Sequence, residues 1–590
     1  MRVPQSHWWL LDGQGGTGLA GAWLLSRGIG IRVGMIDGGV WSSNPDLTTQ
    51  KLTASPGDDH GTQVAGLIVG SDANAFGGIG GAPAAELQVT ALDFDQPLTI
   101  ADLAQVLAQQ SAVDVSNNSW GFVAALADSF TGAGVALSEA LDQALMQGRG
   151  GLGTVFVFAA GNGTGDVGLH NLTGGRRSIA VGASDQDGKI APFSASGANL
   201  FLTAPGQWLL TSDGPDGHAQ VSGTSFAAPL VSSAIALMLA VNPNLDFRDV
   251  QNILALTARP GEGAANAAGL IHSAQMGFGL LDAEAAVRLA RHWTGGQSLA
   301  NQEQFAGLPI DSGFHVRSGM HLEWVEIDLH IKGEDLRELR VFLISPSGHE
   351  SLLLNGAPGL TEFDHLFSAA GFRGEDSGGL WRIRVEGAAD VTVGALTLFG
   401  QVDSPNDVTV LTDRFAARVQ AEPKHRMIVD SDGGRDMLNM AAAKGGAQVD
   451  LHLGRGKLGS VTFGLSGYED LIGTADADRL AGDSRQNRLI GDDGRDWLSG
   501  RGGADRLEGG GGRDILIGGQ GADVFVLTDG GADRLVDFDP KEDRLALPRG
   551  LLWSLNEQTG RLWLSDGHER WLAAFLPVQT HLSGDSILWL

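Results

Sequence analysis

The sequence predicts a multidomain protein: an α/β domain on a parallel sheet, then a β-sandwich, then a parallel β-helix of stacked coils. Three observations carry that reading. In residues 1–294, β-rich runs such as IRVGMIDGGV alternate with helical patterns such as HGTQVAGLIVG, as when crossover helices join parallel strands. From Ala300 to Gln401, short strand-like alternations are separated by SPSG, RGEDSGG and EGAAD, turn signals that favour a sandwich of about a hundred residues. From Gly473 to Val526, six nonapeptides of the form G-x-x-x-x-[D/N]-x-[L/F]-x follow one another without a break. A flexible glycine-rich linker has no reason to hold carboxylates and leucines at a fixed period. The expected divisions are 1–294, 295–403, a lead-in segment 404–472, the repeats at 473–540 and a terminal cap at 541–590.

Within the first domain, the run from Ile31 ends in Asp37 followed by two glycines, which places a carboxylate at the C-terminal edge of a parallel strand. His60 opens a helix whose apolar positions Val64, Leu67 and Ile68 recur at helical spacing. Ser225, in VSGTSFAAPLV, precedes an apolar helix that stops near Asn242-Pro243. A serine there is either a helix cap or a nucleophile near a positive helix end. The order Asp, His, Ser is one of the chain orders in which a catalytic triad occurs.

MIDGGV, HGTQVAG and GTSFAAP resemble the three signatures of subtilisin-like serine proteases, over roughly Trp8 to Arg291. The resemblance implies that Ser225 attacks a peptide carbonyl, His60 carries the proton and Asp37 orients the imidazole. Asn162 in FAAGNGTG would donate to the oxyanion; alone, it also fits a turn residue. VDVSNNSWGF and HWWLLDGQGG are closer to the kexin and furin group, in which Ser119, Trp120 and Gly121 would wall the primary pocket. That group reads Lys and Arg through acids; at the corresponding positions this chain has Gly38, Ala124 and Thr173, and only Asp58 could match an acid of the second pocket. A basic side chain buried without a carboxylate is costly, so strict dibasic specificity is not expected. Asp46 and Asn74 match ligands of a structural calcium ion in the family, with a turn role for Asp46 as the alternative.

ELRVFLISPSGHESLLL and GGLWRIRVEGAADVTVGALTLFG resemble the jelly-roll P domain of kexin and furin, whose expected role is to stabilise the protease by docking on it. The nonapeptides match the calcium-binding β-roll of RTX proteins, with position six at Asp478, Asn487, Asp496, Asp505, Asp514 and Asp523. Hard carboxylate and carbonyl oxygens suit Ca2+. Without the ion the stacked carboxylates would repel, so the segment is expected to fold only when calcium arrives. The flanks IVDSDGGRDMLN and GYEDLIG resemble the serralysin C-terminal domain, without that family's HExxH.

A net charge of −29 disfavours nucleic acid as a partner. No run is long enough for stable membrane insertion, and the absence of cysteine excludes disulfides. The opening MRVPQSHWW lacks the apolar core of a signal peptide. The resemblance to RTX proteins implies export through type I secretion machinery, with the signal in the last forty residues. The expected function is that of a secreted bacterial, calcium-dependent serine endopeptidase acting on protein or peptide substrates. With little sequence ahead of the catalytic domain to serve as a propeptide, calcium, the P domain or a separate chaperone would assist folding. The alternatives are an inactive protease-fold adhesin or surface-binding RTX protein, and a processing protease that keeps a basic preference.

Overall fold

The computed structural model describes residues 3–590 apart from 54, 75–76, 164, 295–301, 308–312, 318, 403 and 529–530. Two compact units are present, Met1–Asp403 and Ser404–Leu590. The expected boundary after residue 294 and the expected sandwich start at residue 300 lie outside the described residues.

In the first unit, β1 (Arg32–Asp37), β2 (Glu86–Ala91), β3 (Val115–Asn118), β4 (Val155–Ala159), β5 (Ser178–Ser184) and β6 (Leu200–Pro205) form one parallel sheet of order β2-β1-β3-β4-β5-β6. β4, β5 and β6 are buried along their whole length, as continuous apolar strands covered on both faces must be. The strand order reverses between β1 and β3, which opens a crevice at their C-terminal ends. Asp37 ends β1, Ser119 follows β3 and Asn162 follows β4, so the strands deliver all three to that crevice. The helix Thr224–Val241 is long and apolar enough to cross a membrane by length and composition, yet 83% of it is buried here. It is the central core helix.

Two four-stranded sheets complete this unit as a β-sandwich. Leu329, Phe367, Ile327, Leu353 and Trp381 fill its interior. The sandwich is bonded to the helix Phe247–Thr257: Arg248 donates from Nε and Nη2 to Glu323, both at 2.8 Å, and Trp324 Nε1 donates to Gln251 Oε1 at 2.8 Å. All four side chains are buried, so each bond replaces lost hydration rather than adding to a solvated pair.

The second unit is a β-roll of an eight-stranded and an eleven-stranded sheet. Within the repeats its parallel pairings step by 18 residues, two nonapeptides per coil: Leu471, Leu489, Leu507 and Phe525 stack in one sheet, and Leu480, Leu498 and Leu516 in the other. The lead-in segment is part of the same body. Leu438 pairs with Leu471 and Val449 with Leu480, so pre-repeat strands close one end of the apolar ladder. Leu545 and Ile587 extend it at the other end. An open coil end would expose leucines, which is why a stacked fold needs such caps.

Leu498 is fully buried between Leu480 and Leu516. Its replacement by alanine is expected to destabilise the calcium-loaded roll by about 2–5 kcal/mol, measured as a lower denaturant midpoint with unchanged slope.

Candidate active site

The sequence motifs meet in the crevice. Asp37 is buried at the end of β1, and its Oδ1 lies 2.8 Å from Nδ1 of His60, which donates to it. The Gly38 N–H also donates to Oδ1, at 2.8 Å. His60 sits at the start of helix Asp59–Val69, capped by Asp58, whose carboxylate accepts the Gly61 N–H at 2.8 Å. Burial pushes the imidazole pKa down. The hydrogen bond and charge of Asp37 and the charge of Asp58 outweigh that and hold it above the usual histidine value.

Ser225 is the second residue of helix Thr224–Val241, and no side chain caps that helix at its Gly223 N-cap. Its hydroxyl donates outward to the Ser119 carbonyl at 3.0 Å, while Ser119 Oγ donates back to the Ser225 carbonyl at 2.7 Å. The helix-cap alternative therefore falls away. The His60 ring packs on Phe226, the next residue, with ring centroids 5.6 Å apart, so base and nucleophile share one wall. Attack requires the Ser225 hydroxyl to turn from Ser119 to His60 Nε2, a tightening that catalytic hydrogen bonds often undergo only with substrate bound.

Asn162 is oriented by Thr224, which donates to its Oδ1 from N–H at 2.8 Å and from Oγ1 at 2.9 Å. The fixed carbonyl leaves Nδ2 beside Gly223 at the mouth of the nucleophile helix, next to the Ser225 N–H of the first turn. Two donors thus face the place where an oxyanion would form.

Ser119, Trp120, Gly121, Asn162 and Ser225 line one cavity of about 430 Å³, together with small residues Ala159, Ala160 and Ala195. The Trp120 ring stands edge-on to Phe158, with centroids 5.7 Å apart. Thr173 also lines this cavity. The sequence reading missed Asp166, a half-buried acid of the same cavity four residues after Asn162. Its oxygens are committed to the N–H groups of Gly168 and Asn355, each at 2.8 Å. Burial nevertheless pushes it up to about 6.

Asn355 belongs to the sandwich, and other sandwich groups hold the same loop: His365 Nε2 lies 2.8 Å from the Gly168 carbonyl, and Asn171 Nδ2 donates to the Leu366 carbonyl at 2.7 Å. The wall of the primary pocket thus rests on the β-sandwich. No sequence spacing signals this, because the bonds join residues almost two hundred positions apart.

A second cavity of about 500 Å³ holds Asp37 and His60 and is acidic, lined also by Asp58, Asp93 and Asp95. A Cβ on Gly38 would come within 2.6 Å of the Asp58 carboxyl carbon. Glycine at position 38 therefore makes room for Asp58.

The structure brings Asp46 and Asn74 together, with donors facing the carboxylate. Asp46 accepts from Asn74 Nδ2 at 2.8 Å, Gly78 N–H at 2.8 Å and Ser212 Oγ at 3.1 Å, and its Oδ2 lies 2.7 Å from His218 Nε2. A calcium ion here would need Asn74 to turn its carbonyl oxygen inward and His218 to withdraw.

In the second unit, Asp478, Asp496, Asp505, Asp514 and Asp523 are buried along the turns with Asn487. Each accepts or donates one rung of a ladder 18 residues deep, such as Asp478 N–H to Asp496 Oδ1 and Asn487 N–H to Asp505 Oδ1, both at 2.8 Å. Oδ2 of Asp496 and of Asp505 is buried with no hydrogen-bond partner. Burial pushes these two acids up to about 8 and about 7. Buried hard oxygens without a proton donor are what Ca2+ takes as ligands, so these residues fit the ion. Asn487 fits less well: its Nδ2 donates to the Glu469 carbonyl at 2.8 Å.

Comparison with known proteins agrees with this geometry. The subtilase family profile matches residues 28–279. Those residues form a subtilase domain. The proprotein convertase P-domain profile matches residues 322–400, and the RTX calcium-binding nonapeptide repeat matches 472–507, 490–525 and 499–535. The chain is 29% identical over 451 residues to human proprotein convertase subtilisin/kexin type 4, covering 65% of this chain and 58% of that protein. It is also 29% identical over 471 residues to rat furin, covering 68% and 57%. The chain thus spans under two thirds of the length of these relatives. A solved Aeromonas sobria serine protease, in complex with a chaperone, shares the fold with a TM-score of 0.58 at 21% identity, over 68% of this chain and 95% of that one. The protein therefore carries a subtilase domain, a P domain and RTX calcium-binding repeats.

Proposed function

We propose that the protein is an extracellular, calcium-dependent serine endopeptidase. The observation that carries this reading is the meeting of the Asp37–His60 pair, Ser225 and an oriented Asn162 amide around one crevice. Ser225 Oγ attacks the scissile carbonyl as its proton passes to His60 Nε2. The oxyanion is held by Asn162 Nδ2 and the Ser225 N–H, and collapse of the intermediate sends the proton from His60 to the leaving amine. Water then repeats the sequence on the acyl-enzyme. Asp37 fixes the imidazole through Nδ1.

The test is casein hydrolysis by calcium-loaded chain together with a serine-directed phosphonylating reagent. One label per chain, mapped to the peptide containing Ser225 and accompanied by loss of hydrolysis, supports the reading; labelling elsewhere sinks it.

The pocket geometry supports cleavage after small or apolar side chains, because the only acid among the described residues of the primary cavity, Asp166, already has both oxygens bound. The acidic neighbouring cavity favours a second reading on the non-primed side: Asp58, Asp93 and Asp95 would select a basic residue one or more positions before the cleaved bond. A peptide-library profile separates the two, and a strict basic requirement at the cleaved position itself would overturn the first.

Asp58 also gives a pH prediction. His60 must be neutral to act as base, and its raised pKa sets the acid limb of kcat/KM, so activity rises with pH through that value. Asp58→Asn removes one of the charges that raise it. The acid limb is expected to move to lower pH, with the alkaline side unchanged.

Calcium would be held by the aspartates of the repeat turns, where it supplies the counter-charge for buried carboxylates. A folding chaperone is proposed by analogy with the Aeromonas complex, and recovery of full activity by calcium-only refolding of the purified chain would exclude that requirement. Type I secretion is proposed from the RTX repeats alone.

A further inference from the structure

We propose that the β-roll carries a binding groove for a linear, carboxylate-bearing polysaccharide. On the eleven-stranded sheet, Thr462, Lys457, Gln448, Arg479 and Trp497 stand in register across five neighbouring strands. They line a groove of about 480 Å³ with Arg455 and Arg501. At about 4.8 Å between strands, the row from Thr462 to Trp497 spans about 19 Å, long enough for several units of an extended polymer.

The charge of this groove runs against the chain. Acidic residues outnumber Lys and Arg by 69 to 40, yet four basic side chains converge here on one acid, Asp450. Arg501 takes that acid, with Nη1 and Nη2 at 2.8 and 2.6 Å from its two oxygens. Among the described residues, Arg455, Lys457 and Arg479 make no ion pair. A merely solvated face would gain by dispersing such charges among the abundant acids. Two of the guanidinium groups are also held in place, Arg501 by its fork on Asp450 and Arg479 by stacking 4.3 Å over the Trp497 ring. Preorganised cations lose less entropy on binding.

The ligand class follows from what the groove lacks. Its central strand, Ala447–Asp450, is paired on both sides, so an extended peptide would gain no main-chain hydrogen bonds. The Trp497 ring already carries Arg479 on one face, which leaves a poor platform for successive nucleic-acid bases. Fixed guanidinium forks beside the neutral donors and acceptors Gln448 and Thr462 suit uronate carboxylates flanked by hydroxyls. The Arg501–Asp450 pair already shows that geometry within the groove.

The test measures binding of calcium-loaded full-length chain to hyaluronan oligosaccharides. Chondroitin sulfate, duplex DNA and neutral maltodextrin are the comparison probes. Hyaluronan binding is expected to weaken as salt screens the groove. The triple variant Arg455→Ala, Lys457→Ala, Arg479→Ala is expected to weaken it at least tenfold, with casein hydrolysis unchanged. If that variant loses its calcium-dependent circular dichroism, Lys457→Glu at an exposed strand position serves instead, with the same direction expected. No hyaluronan binding, equal binding by the variants, or duplex DNA or chondroitin sulfate bound more tightly through the same residues would overturn the assignment.

Discussion

Replacing Ser225 with alanine is expected to lower kcat on casein by about 10⁶-fold with KM little changed, a magnitude carried over from subtilisin, whose triad has the same chain order. The fold should survive. The Ser225 hydroxyl makes one hydrogen bond, to the Ser119 carbonyl, and losing such a bond costs about 0.5–1.5 kcal/mol. His60→Ala should cost a similar factor, and the double variant no more than either alone, because nucleophile and base act as a unit. Asn162→Ala removes a donor to the oxyanion and should cost only about 10²–10³-fold. These sizes separate the enzyme from the adhesin reading. A Ser225→Ala protein that still cleaves casein would place the hydrolysis elsewhere.

The site was legible in the sequence where chemistry is tied to a local motif. Asp37, His60, Asn162 and Ser225 each sit at a strand end or helix start whose hydrophobic pattern is visible within ten residues, and the sheet order carries them into one crevice. The repeats were legible for the same reason, since an 18-residue coil reports itself as a nine-residue period. What stayed hidden depends on distant pairing. Asp166 looks like a loop acid until Asn355 from the sandwich bonds it, and His218 gives no local hint that it will face Asp46 across 172 positions. The lead-in segment 404–472 lacks the nonapeptide signature, so only the register of Leu438 on Leu471 shows it to be part of the roll.

Removing calcium is expected to unfold the repeats of the second unit, seen as loss of its β-sheet circular dichroism and rapid proteolysis within residues 473–540. The apolar ladder is one leucine or phenylalanine wide per half-coil, which gives the segment a thin core for its length. Against it stand carboxylates that burial, and then the charges of neighbouring aspartates, push up, Asp496 to about 8 and Asp505 to about 7. The N–H groups of Asp478 and Asn487 satisfy Oδ1 of Asp496 and of Asp505, and Oδ2 of both acids is left buried without a donor. A bound cation supplies the missing charge, and at a hundredfold excess over Kd each site adds about 2.7 kcal/mol to the folded state. The midpoint of calcium-dependent folding should therefore rise on Asp505→Ala. It should fall on Asn487→Asp, which restores a carboxylate where the amide now donates to Glu469. A chelated chain that kept its spectrum would show that hydrogen bonds and leucine stacking alone carry the roll.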